Sequence, residues 1–167
     1  MNYTLIRSID IANGEGIGTA LFVSGCPFHC EGCFNPETWD YGYGKEFTQK
    51  TLISLIEATD KPYISRISIL GGEPLAPVNL ETVSLIIESL KKRFPEKRIW
   101  IYSGYTYESL NKNQLRVISK ADILVDGQFI KEKKDLNLKF RGSSNQRIID
   151  IQQTIKGSRL TLWGGVN

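Results

Sequence analysis

The stretch TALFVSG, residues 19–25, is a short run of apolar and β-branched residues that closes on a glycine. Such a run is typical of a strand that is buried on both faces of a parallel sheet. The same pattern recurs in RISILGG (66–72), RIWIYSG (98–104) and ADILVDG (121–127). These four runs predict a mostly parallel sheet whose strands end at glycines.

In the segments between these strands, apolar residues recur at the spacing that is typical of amphipathic helices. Residues 48–59 and 80–94 carry apolar stripes, and Asn79 is a candidate N-cap for the second of them. A third, weaker helix is predicted over 106–119. Alternating strands and helices predict an α/β fold with right-handed crossovers. A full eight-unit barrel needs about 250 residues, so we expect an incomplete barrel or an open sheet with flanking helices.

Length and composition narrow the classes of function. The chain has 167 residues, 41% of them hydrophobic, and a net charge of +3. We expect one domain over 1–167, and no nucleic-acid partner because the charge is mild. No secretory signal is visible, and no apolar run approaches the roughly 20 residues of a membrane helix. With an odd number of clustered cysteines, a secreted disulfide scaffold is disfavoured and the cytoplasm is the expected compartment.

The residues best suited to metal binding or catalysis lie in the loop that follows the first of the four strands. Residues 23–39, VSGCPFHCEGCFNPETW, hold all three cysteines and the only histidine of the chain. In open α/β sheets, ligands bind beyond the carboxyl ends of the strands. The glycine-terminated strand ends and this loop should therefore meet at one edge of the sheet.

The cysteines, Cys26, Cys30 and Cys33, have the spacing C-x3-C-x2-C. They could be small buried hydrophobes, or a structural zinc site completed by His29. Against zinc, His29 and Cys30 are adjacent, whereas structural zinc usually takes two separated pairs of ligands. A cubane iron–sulfur cluster normally takes four thiolates, so three would leave one iron open to a small molecule. An open iron at the mouth of a parallel sheet suggests catalysis.

This spacing resembles the signature of the radical S-adenosylmethionine (SAM) superfamily. The resemblance implies that Cys26, Cys30 and Cys33 ligate a [4Fe-4S] cluster and that SAM chelates the fourth iron. GGEP (71–74) lies where the superfamily has the site for the amine of SAM. Its glycines let the backbone approach closely, and Glu73 offers an acceptor for an ammonium group.

Further stretches resemble the activating proteins of class III (anaerobic) ribonucleotide reductases over roughly residues 1–150. They are NGEGIGTALFVSGC, CEGCFNPETW, IYSGYTYESL, ADILVDGQF and RGSSNQRIID. The resemblance implies an incomplete radical SAM α/β barrel, with 150–167 as a possible C-terminal extension. RLTLW, within that extension, could add an edge strand or touch a partner.

The implied activity is installation of a glycyl radical on the large subunit of the reductase. A reduced cluster cleaves SAM to methionine and a 5′-deoxyadenosyl radical, which takes hydrogen from a glycine Cα. The implied partners are that subunit and an electron donor such as flavodoxin or ferredoxin. No catalytic residue beyond the cluster and SAM is needed, because hydrogen-atom abstraction requires no general base.

Several residues are implied to contact SAM. Those beside the cluster are Gly32, Cys33 and Phe34, and those at the following strand ends are Gly71, Gly72, Glu73, Ser103, Gly104, Asp126 and Gly127. Arg141 and Asn145 could touch SAM or the partner protein. His29 could tune the cluster through a hydrogen bond.

Three rival functions remain open. The chain could activate pyruvate formate-lyase or another glycyl-radical enzyme, although many of those activators carry additional cluster cysteines. It could be a small-molecule radical SAM enzyme such as a 7-carboxy-7-deazaguanine synthase, which would not explain RGSSNQR. From another class, it could be a non-catalytic interaction module that binds zinc.

Overall fold

A computed structural model describes residues 1–164, and the last three residues of the predicted extension lie outside the described part. One seven-stranded sheet has the order β3-β1-β2-β4-β5-β6-β7. Its strands are β1 (Asn2–Asp10), β2 (Gly18–Val23), β3 (Lys45–Glu46), β4 (Arg66–Gly71), β5 (Arg98–Tyr102), β6 (Ile123–Asp126) and β7 (Arg147–Asp150). The four predicted strands, β2, β4, β5 and β6, pair in parallel. The α/β class and the mostly parallel central sheet are therefore confirmed.

The sheet also contains antiparallel strands that the sequence pattern did not reveal. β1 pairs with β2, and β7 pairs with β6, both antiparallel. The strand that leads into the cysteines is thus the second in the chain, not the first. β1 escapes detection because its residues are mostly half-buried or exposed, so no continuous apolar run marks it.

Four helices accompany the sheet in the described residues. They are α1 (Gln49–Thr59), α2 (Pro77–Arg93), α3 (Lys112–Ile118) and α4 (Ile151–Gly157). α1 matches its predicted range and is capped by Thr48. Within residues 1–164, no helix is both long and apolar enough to cross a membrane.

Two helix predictions need correction. α2 begins at Pro77 rather than at 80, because proline suits the first helical position and needs no N–H partner there. Asn79 is therefore inside the helix and is not its N-cap. The third predicted helix shortens to α3, because its first part forms a separate 3-10 turn over Tyr107–Ser109.

The two faces of the sheet have different environments. Side chains such as Leu21, Ile69 and Ile101 point to the helices and form the main apolar core. The opposite face, which we call the inner face, carries Phe22, Leu70, Trp100 and Tyr102 in smaller clusters. The inner face is the one on which an open cleft can form.

A buried ion pair closes the end of the inner face that is remote from the cysteines. Arg66 donates to the Asp10 carboxylate at 2.8 Å and to Ser68 Oγ at 2.7 Å. The loop after β1 wraps around the Arg66 side chain. A Cβ on Gly14 would lie 2.8 Å from its Cδ, and a Cβ on Gly18 would lie 2.5 Å from its Nη1. Gly14 and Gly18 of NGEGIG are therefore required by close packing against Arg66, whereas a Cβ on Gly16 would meet Ser65.

The C-terminal segment after α4 folds back onto β7. Trp163 N–H donates to the Ile148 carbonyl at 2.9 Å, and Leu162 forms a single antiparallel bridge with Ile149. The Trp163 ring packs edge-on against Trp100 of the inner face, with ring centroids 5.0 Å apart. RLTLW thus makes a minimal edge contact with the sheet instead of a full strand.

We expect Trp163→Ala to lower the free energy of unfolding by about 2 kcal/mol, because a half-buried aromatic anchor is lost. Leu162→Ala is the matched control, since Leu162 is 59% exposed, and should change it by less than about 0.5 kcal/mol. Anaerobic denaturant titration of the three proteins in the same metal-loading state measures both values. Equal effects for the two variants would contradict this role of Trp163.

Candidate metal centre and adjoining cleft

The three cysteines converge on one cavity at the carboxyl ends of the parallel strands. Cys26, Cys30 and Cys33 are unpaired and half-buried, and all three line a cavity of about 170 Å³. Backbone hydrogen bonds hold their loop, because Cys26 N–H donates to Trp39 O at 3.1 Å and Cys33 N–H to Cys30 O at 3.1 Å. The edge predicted for the chemistry is the edge where the cysteines lie.

Main-chain N–H groups point at each of the three sulfur atoms. The backbone N–H groups of Phe28 and His29 act to lower the pKa of Cys26, and that of Phe129 acts to lower the pKa of Cys30. Cys33 Sγ accepts a hydrogen bond from the Asn35 N–H at 3.4 Å. Such donors stabilise a thiolate, which is the form that binds metal.

Burial, in contrast, raises the pKa of two of these thiols and so disfavours the thiolate form. It raises the pKa of Cys26 to about 11 and also raises the pKa of Cys30. Cys26 and Cys30 therefore keep their protons until a metal displaces them.

His29 adopts an unusual backbone conformation between two of the cysteines. Its φ of 47° is left-handed, which is uncommon for a residue with a side chain. This conformation accompanies the N–H contact to Cys26, while the imidazole stacks on Trp39 with ring centroids 4.8 Å apart. The backbone of His29 can therefore influence a bound metal only through the Cys26 sulfur.

The donor set fits a cluster better than a single ion. Among residues 1–164, no three His, Cys, Asp or Glu side chains are grouped so as to hold one metal ion. A zinc site needs its ligands around one centre, whereas a cubane takes one thiolate at each of several irons. Three thiols that face a shared cavity, each met by a backbone N–H, suit the second arrangement.

The GGE motif lies against the cysteine loop at the end of β4. Gly71 has a φ of 106°, and a Cβ on it would lie 2.7 Å from the Val23 carbonyl oxygen. A Cβ on Gly72 would lie 2.6 Å from the Gly25 carbonyl oxygen. Both glycines are therefore needed for this close backbone approach, and both line the cavity.

Glu73 is buried at the wall of the same cavity, with 1% of its surface exposed. Its carboxylate accepts from Leu75 N–H at 2.8 Å, Ser103 Oγ at 2.9 Å and Gly104 N–H at 2.7 Å. Burial nevertheless raises the pKa of Glu73 to about 7. A carboxylate has about four acceptor sites, so these bonds leave about one for a ligand ammonium group.

Asn79 stabilises this corner instead of capping α2. Its side-chain amide donates to Ser24 O at 2.9 Å and to Glu73 O at 3.0 Å. The loop before the cysteines and the GGE turn are thereby held by one buried side chain. A tertiary contact of this kind leaves no local signal, so the sequence suggested only a helix cap.

Not every predicted SAM contact reaches the cavity. Ser103 and Gly104 line it, as does Gly127. Asp126 does not, because its carboxylate accepts from Arg147 Nε at 3.0 Å and from Tyr107 N–H at 2.8 Å. Asp126 as a SAM contact therefore stays a prediction, and in this structure its side chain holds the neighbouring loop.

Gly32 and Phe34 also lie outside the cavity wall. Gly32 has a φ of 75° and makes the turn between Cys30 and Cys33. Phe34 is 70% exposed and packs edge-on against Phe129. Both residues are near Cys33, but neither of them forms part of the cavity wall.

RGSSNQR forms a clasp around the loop that follows β6. Gln146 donates to Gly127 O at 2.9 Å and accepts from Gly142 N–H at 2.9 Å. Asn145 donates to Gln128 O at 2.8 Å. The clasp thus fixes the segment that carries Phe129, whose N–H meets Cys30.

A larger cleft of about 520 Å³ lies over the inner face and adjoins the cavity. The residues that line both spaces are Cys33, Asn35, Leu70, Tyr102, Phe129 and Gln146. Arg7 and Arg141 add charge to walls that are otherwise rich in aromatic side chains, including Phe34 and Phe140. Of the two residues predicted to touch SAM or a partner, Arg141 lines the cleft and Asn145 does not.

Comparison with known proteins identifies the family. The profile described as a 4Fe-4S single cluster domain matches residues 12–149. The anaerobic ribonucleoside-triphosphate reductase-activating protein of Vibrio cholerae is 40% identical over 150 residues, which cover 89% of this chain and 97% of that protein. Proteins of the same name from phage T4 and Escherichia coli K12 are 40% and 39% identical, and 93% and 96% of their lengths are covered. The chain belongs to this family of reductase-activating proteins.

Membership of the activating-protein family confirms the resemblance seen in the sequence. The matched range 12–149 contains the cysteines, the GGE turn and Gln146. The helix α4 and the segment that carries Trp163 follow the matched range.

Several cavity residues escaped the sequence analysis. They are Phe28, Asn35, Leu70, Tyr102, Gln128, Phe129 and Gln146. Gln128 and Phe129 follow the glycine that ends a predicted strand, which is a positional signal that could have identified them. Leu70 and Tyr102 look like ordinary strand residues, and only the fold shows that they border the cavity.

Proposed function

We propose that this protein activates an anaerobic ribonucleotide reductase by generating a glycyl radical on its large subunit. The observation that carries the proposal is the convergence of three cysteines and the GGE turn on one cavity, in a chain that has only three cysteines. The names of the relatives, which activate anaerobic ribonucleoside-triphosphate reductases, support the choice of target.

Cys26, Cys30 and Cys33 would hold a [4Fe-4S] cluster, with SAM as the ligand of the remaining iron. When bound, the reduced cluster and SAM supply methionine and a 5′-deoxyadenosyl radical that can remove hydrogen from a glycine Cα. Gly71 and Gly72 let the backbone approach the methionyl end, and Glu73 and Ser103 offer polar groups there. The protein binds, orients and shields these groups, and the cofactors supply the reactivity.

The cleft over the inner face gives the target glycine a route to the cavity. A glycine Cα belongs to a polypeptide, so a segment of the reductase must reach the cysteines. The cleft adjoins the cavity on the inner face, and six residues line both spaces. The cleft is therefore the space into which that segment would insert.

Other parts of the prediction belong to the same proposal. The sheet would be an incomplete radical SAM barrel within one domain, and flavodoxin or ferredoxin would supply the electron. No nucleic acid takes part, and the cytoplasm is the expected location. Gly32 and Phe34 would influence SAM from beside Cys33, since neither lines the cavity.

Electron paramagnetic resonance tests the proposal on the anaerobically reconstituted protein with SAM and a strong reductant. We expect a glycyl-radical doublet when the class III reductase of the same source is added, and none when SAM or either protein is omitted. Cleavage of SAM without a doublet would reject the reductase as target. Zinc in place of iron and sulfide would reject the radical chemistry altogether.

A further inference from the structure

Positive charge is concentrated in the loop that follows β6. We call residues 129–141, FIKEKKDLNLKFR, the basic loop. It has five positive and two negative side chains, so its net charge equals the +3 of the whole chain, and the remaining residues are neutral on balance. A surface of one sign attracts partners of the opposite sign and raises the rate at which they associate. The basic loop therefore favours an acidic partner.

Three lysines of the basic loop are available to such a partner. Lys133, Lys134 and Lys139 are exposed, and none of them forms an ion pair within residues 1–164, whereas Lys131 is paired with an acid. Leu136 lies between them in the chain and is 83% exposed. Protein interfaces commonly combine an apolar contact with a polar rim. The loop offers both on a short stretch of surface.

The basic loop packs on the exposed turn between the second and third cysteines. Lys131 Nζ lies 2.6 Å from a carboxylate oxygen of Glu31, and a Cβ on Gly32 would lie 3.6 Å from the Lys131 side chain. Lys134 Nζ lies 5.3 Å from the centroid of the Phe34 ring. The unpaired lysines and the cysteine turn therefore belong to one surface.

This surface differs from the route proposed for the reductase segment. The cleft and the cavity are lined by other residues of the basic loop, such as Phe129 and Phe140, but not by its four lysines or by Leu136. An electron donor needs no entry to the cleft, because it only has to approach a cysteine ligand from outside. Complexes that transfer electrons also bury little surface, which a short loop can supply.

We propose that the basic loop, with the adjoining turn of the cysteine loop, is the docking surface for an acidic protein that donates one electron. This inference rests on the proposed function, which requires a reduced cluster. The lysines steer the donor, and Leu136 gives it an apolar contact. The redox group of the donor then lies beside the turn that joins Cys30 and Cys33. The donor loses one electron and the cluster gains it, and no covalent bond forms or breaks.

The double variant Lys133→Glu/Lys134→Glu tests the surface, with flavodoxin, a small acidic flavoprotein, as the probe. Lys50→Glu/Lys156→Glu is the matched control, because it changes the net charge equally at exposed positions of α1 and α4. The first measurement is equilibrium binding of oxidised flavodoxin to the cluster-loaded protein. At about 0.01 M ionic strength, where the Debye length is about 30 Å, we expect Kd to rise roughly tenfold in the first variant and less than about twofold in the control. In 1 M salt this difference should vanish, because the Debye length falls to about 3 Å.

The rate of cluster reduction is the second measurement. Reduced flavodoxin and photoreduced 5-deazariboflavin, a small uncharged reductant, are each mixed with the oxidised, cluster-loaded proteins. At low salt we expect the rate with flavodoxin to fall roughly tenfold in Lys133→Glu/Lys134→Glu, and the rate with 5-deazariboflavin to equal that of the unsubstituted protein. Glycyl-radical formation on the reductase after reduction by 5-deazariboflavin should also be unchanged.

Several results would overturn the inference. One is that the unsubstituted protein does not bind flavodoxin, and another is that both double variants lose binding equally, since net charge alone would then explain the effect. An unchanged Kd and rate in Lys133→Glu/Lys134→Glu would also reject it. Loss of glycyl radicals after reduction by 5-deazariboflavin, with normal reduction by flavodoxin, would assign the surface to the reductase instead.

Failure of the proposed function gives a different result. The unsubstituted protein would then accept electrons from flavodoxin and form no glycyl radical on the reductase. The expected changes in flavodoxin binding and in the reduction rate would still support the docking surface, because neither measurement depends on the reductase.

Discussion

Cys30→Ala is expected to leave the protein without a complete cluster and without SAM cleavage. Cys30 supplies one of only three thiolates in the chain, and no fourth cysteine can replace it. The loss should exceed the roughly 10- to 100-fold effect of removing an outer partner of a metal ligand. Iron and sulfide content after anaerobic reconstitution, together with 5′-deoxyadenosine release, measures it.

His29→Asn is the matched control for Cys30→Ala. It changes the adjacent residue, and asparagine tolerates the left-handed backbone that His29 adopts. The backbone N–H to Cys26 is therefore retained, and we expect nearly full iron content. Full SAM cleavage by Cys30→Ala would reject Cys30 as a ligand, and loss of the cluster in both variants would point to collapse of the loop.

The central sheet could be predicted because its strands are locally distinctive. β2, β4, β5 and β6 are continuous apolar runs, so burial on both faces can be inferred from residue type alone. β1 and β7 are more polar, and their places depend on antiparallel pairing with β2 and β6. Such pairing is a tertiary choice that leaves little local pattern. Arg66 illustrates the same limit, because the buried partner that explains it, Asp10, is 56 residues away.

The candidate site divides in a similar way. The cysteines and GGE could be predicted because their chemistry depends on short spacings within one loop or turn. RGSSNQR was distinctive in the sequence, yet its function as a clasp depends on contacts with Gly127, Gln128 and Asp126. The hydrogen bonds of Asp126 with Arg147 and Tyr107 could not be predicted, because the position of a residue at a strand end does not show which partners its side chain takes. No sequence pattern indicates that Tyr102 lines the cavity, because only the fold brings it there.

Glu73→Ala should weaken SAM binding at least about tenfold, a change of 1.4 kcal/mol in binding free energy. Three donors, on Leu75, Ser103 and Gly104, lose their shared acceptor. The strand ends that surround the methionyl site then lose their common anchor, and a ligand ammonium loses its nearest carboxylate. Equilibrium binding of SAM to cluster-loaded protein measures the effect, with Glu57→Ala on α1 as a control outside the cavity. Unchanged SAM affinity would show that Glu73 stabilises the GGE turn without contributing to SAM binding.

The pH dependence of stability provides a sharper test of Glu73. Burial raises its pKa from 4.5 to about 7, so between these values the folded protein holds a proton that the unfolded chain has released. The resulting contribution to stability is complete below pH 4.5 and is lost as pH rises through 7. It amounts to on the order of 3 kcal/mol, at 1.36 kcal/mol per pKa unit.

Glu73→Gln isolates this contribution, because glutamine has no proton to release. In either orientation its amide nitrogen faces a backbone N–H, from Leu75 or Gly104, so the variant is less stable at pH 4.5 by about 1–3 kcal/mol. As pH rises to 8, the unsubstituted protein loses its extra stability, and the difference between the two should shrink or reverse. Denaturant titrations of the metal-free proteins across this range measure the difference. A difference that does not vary with pH would mean that Glu73 stays ionised throughout, held by its three hydrogen bonds in spite of burial.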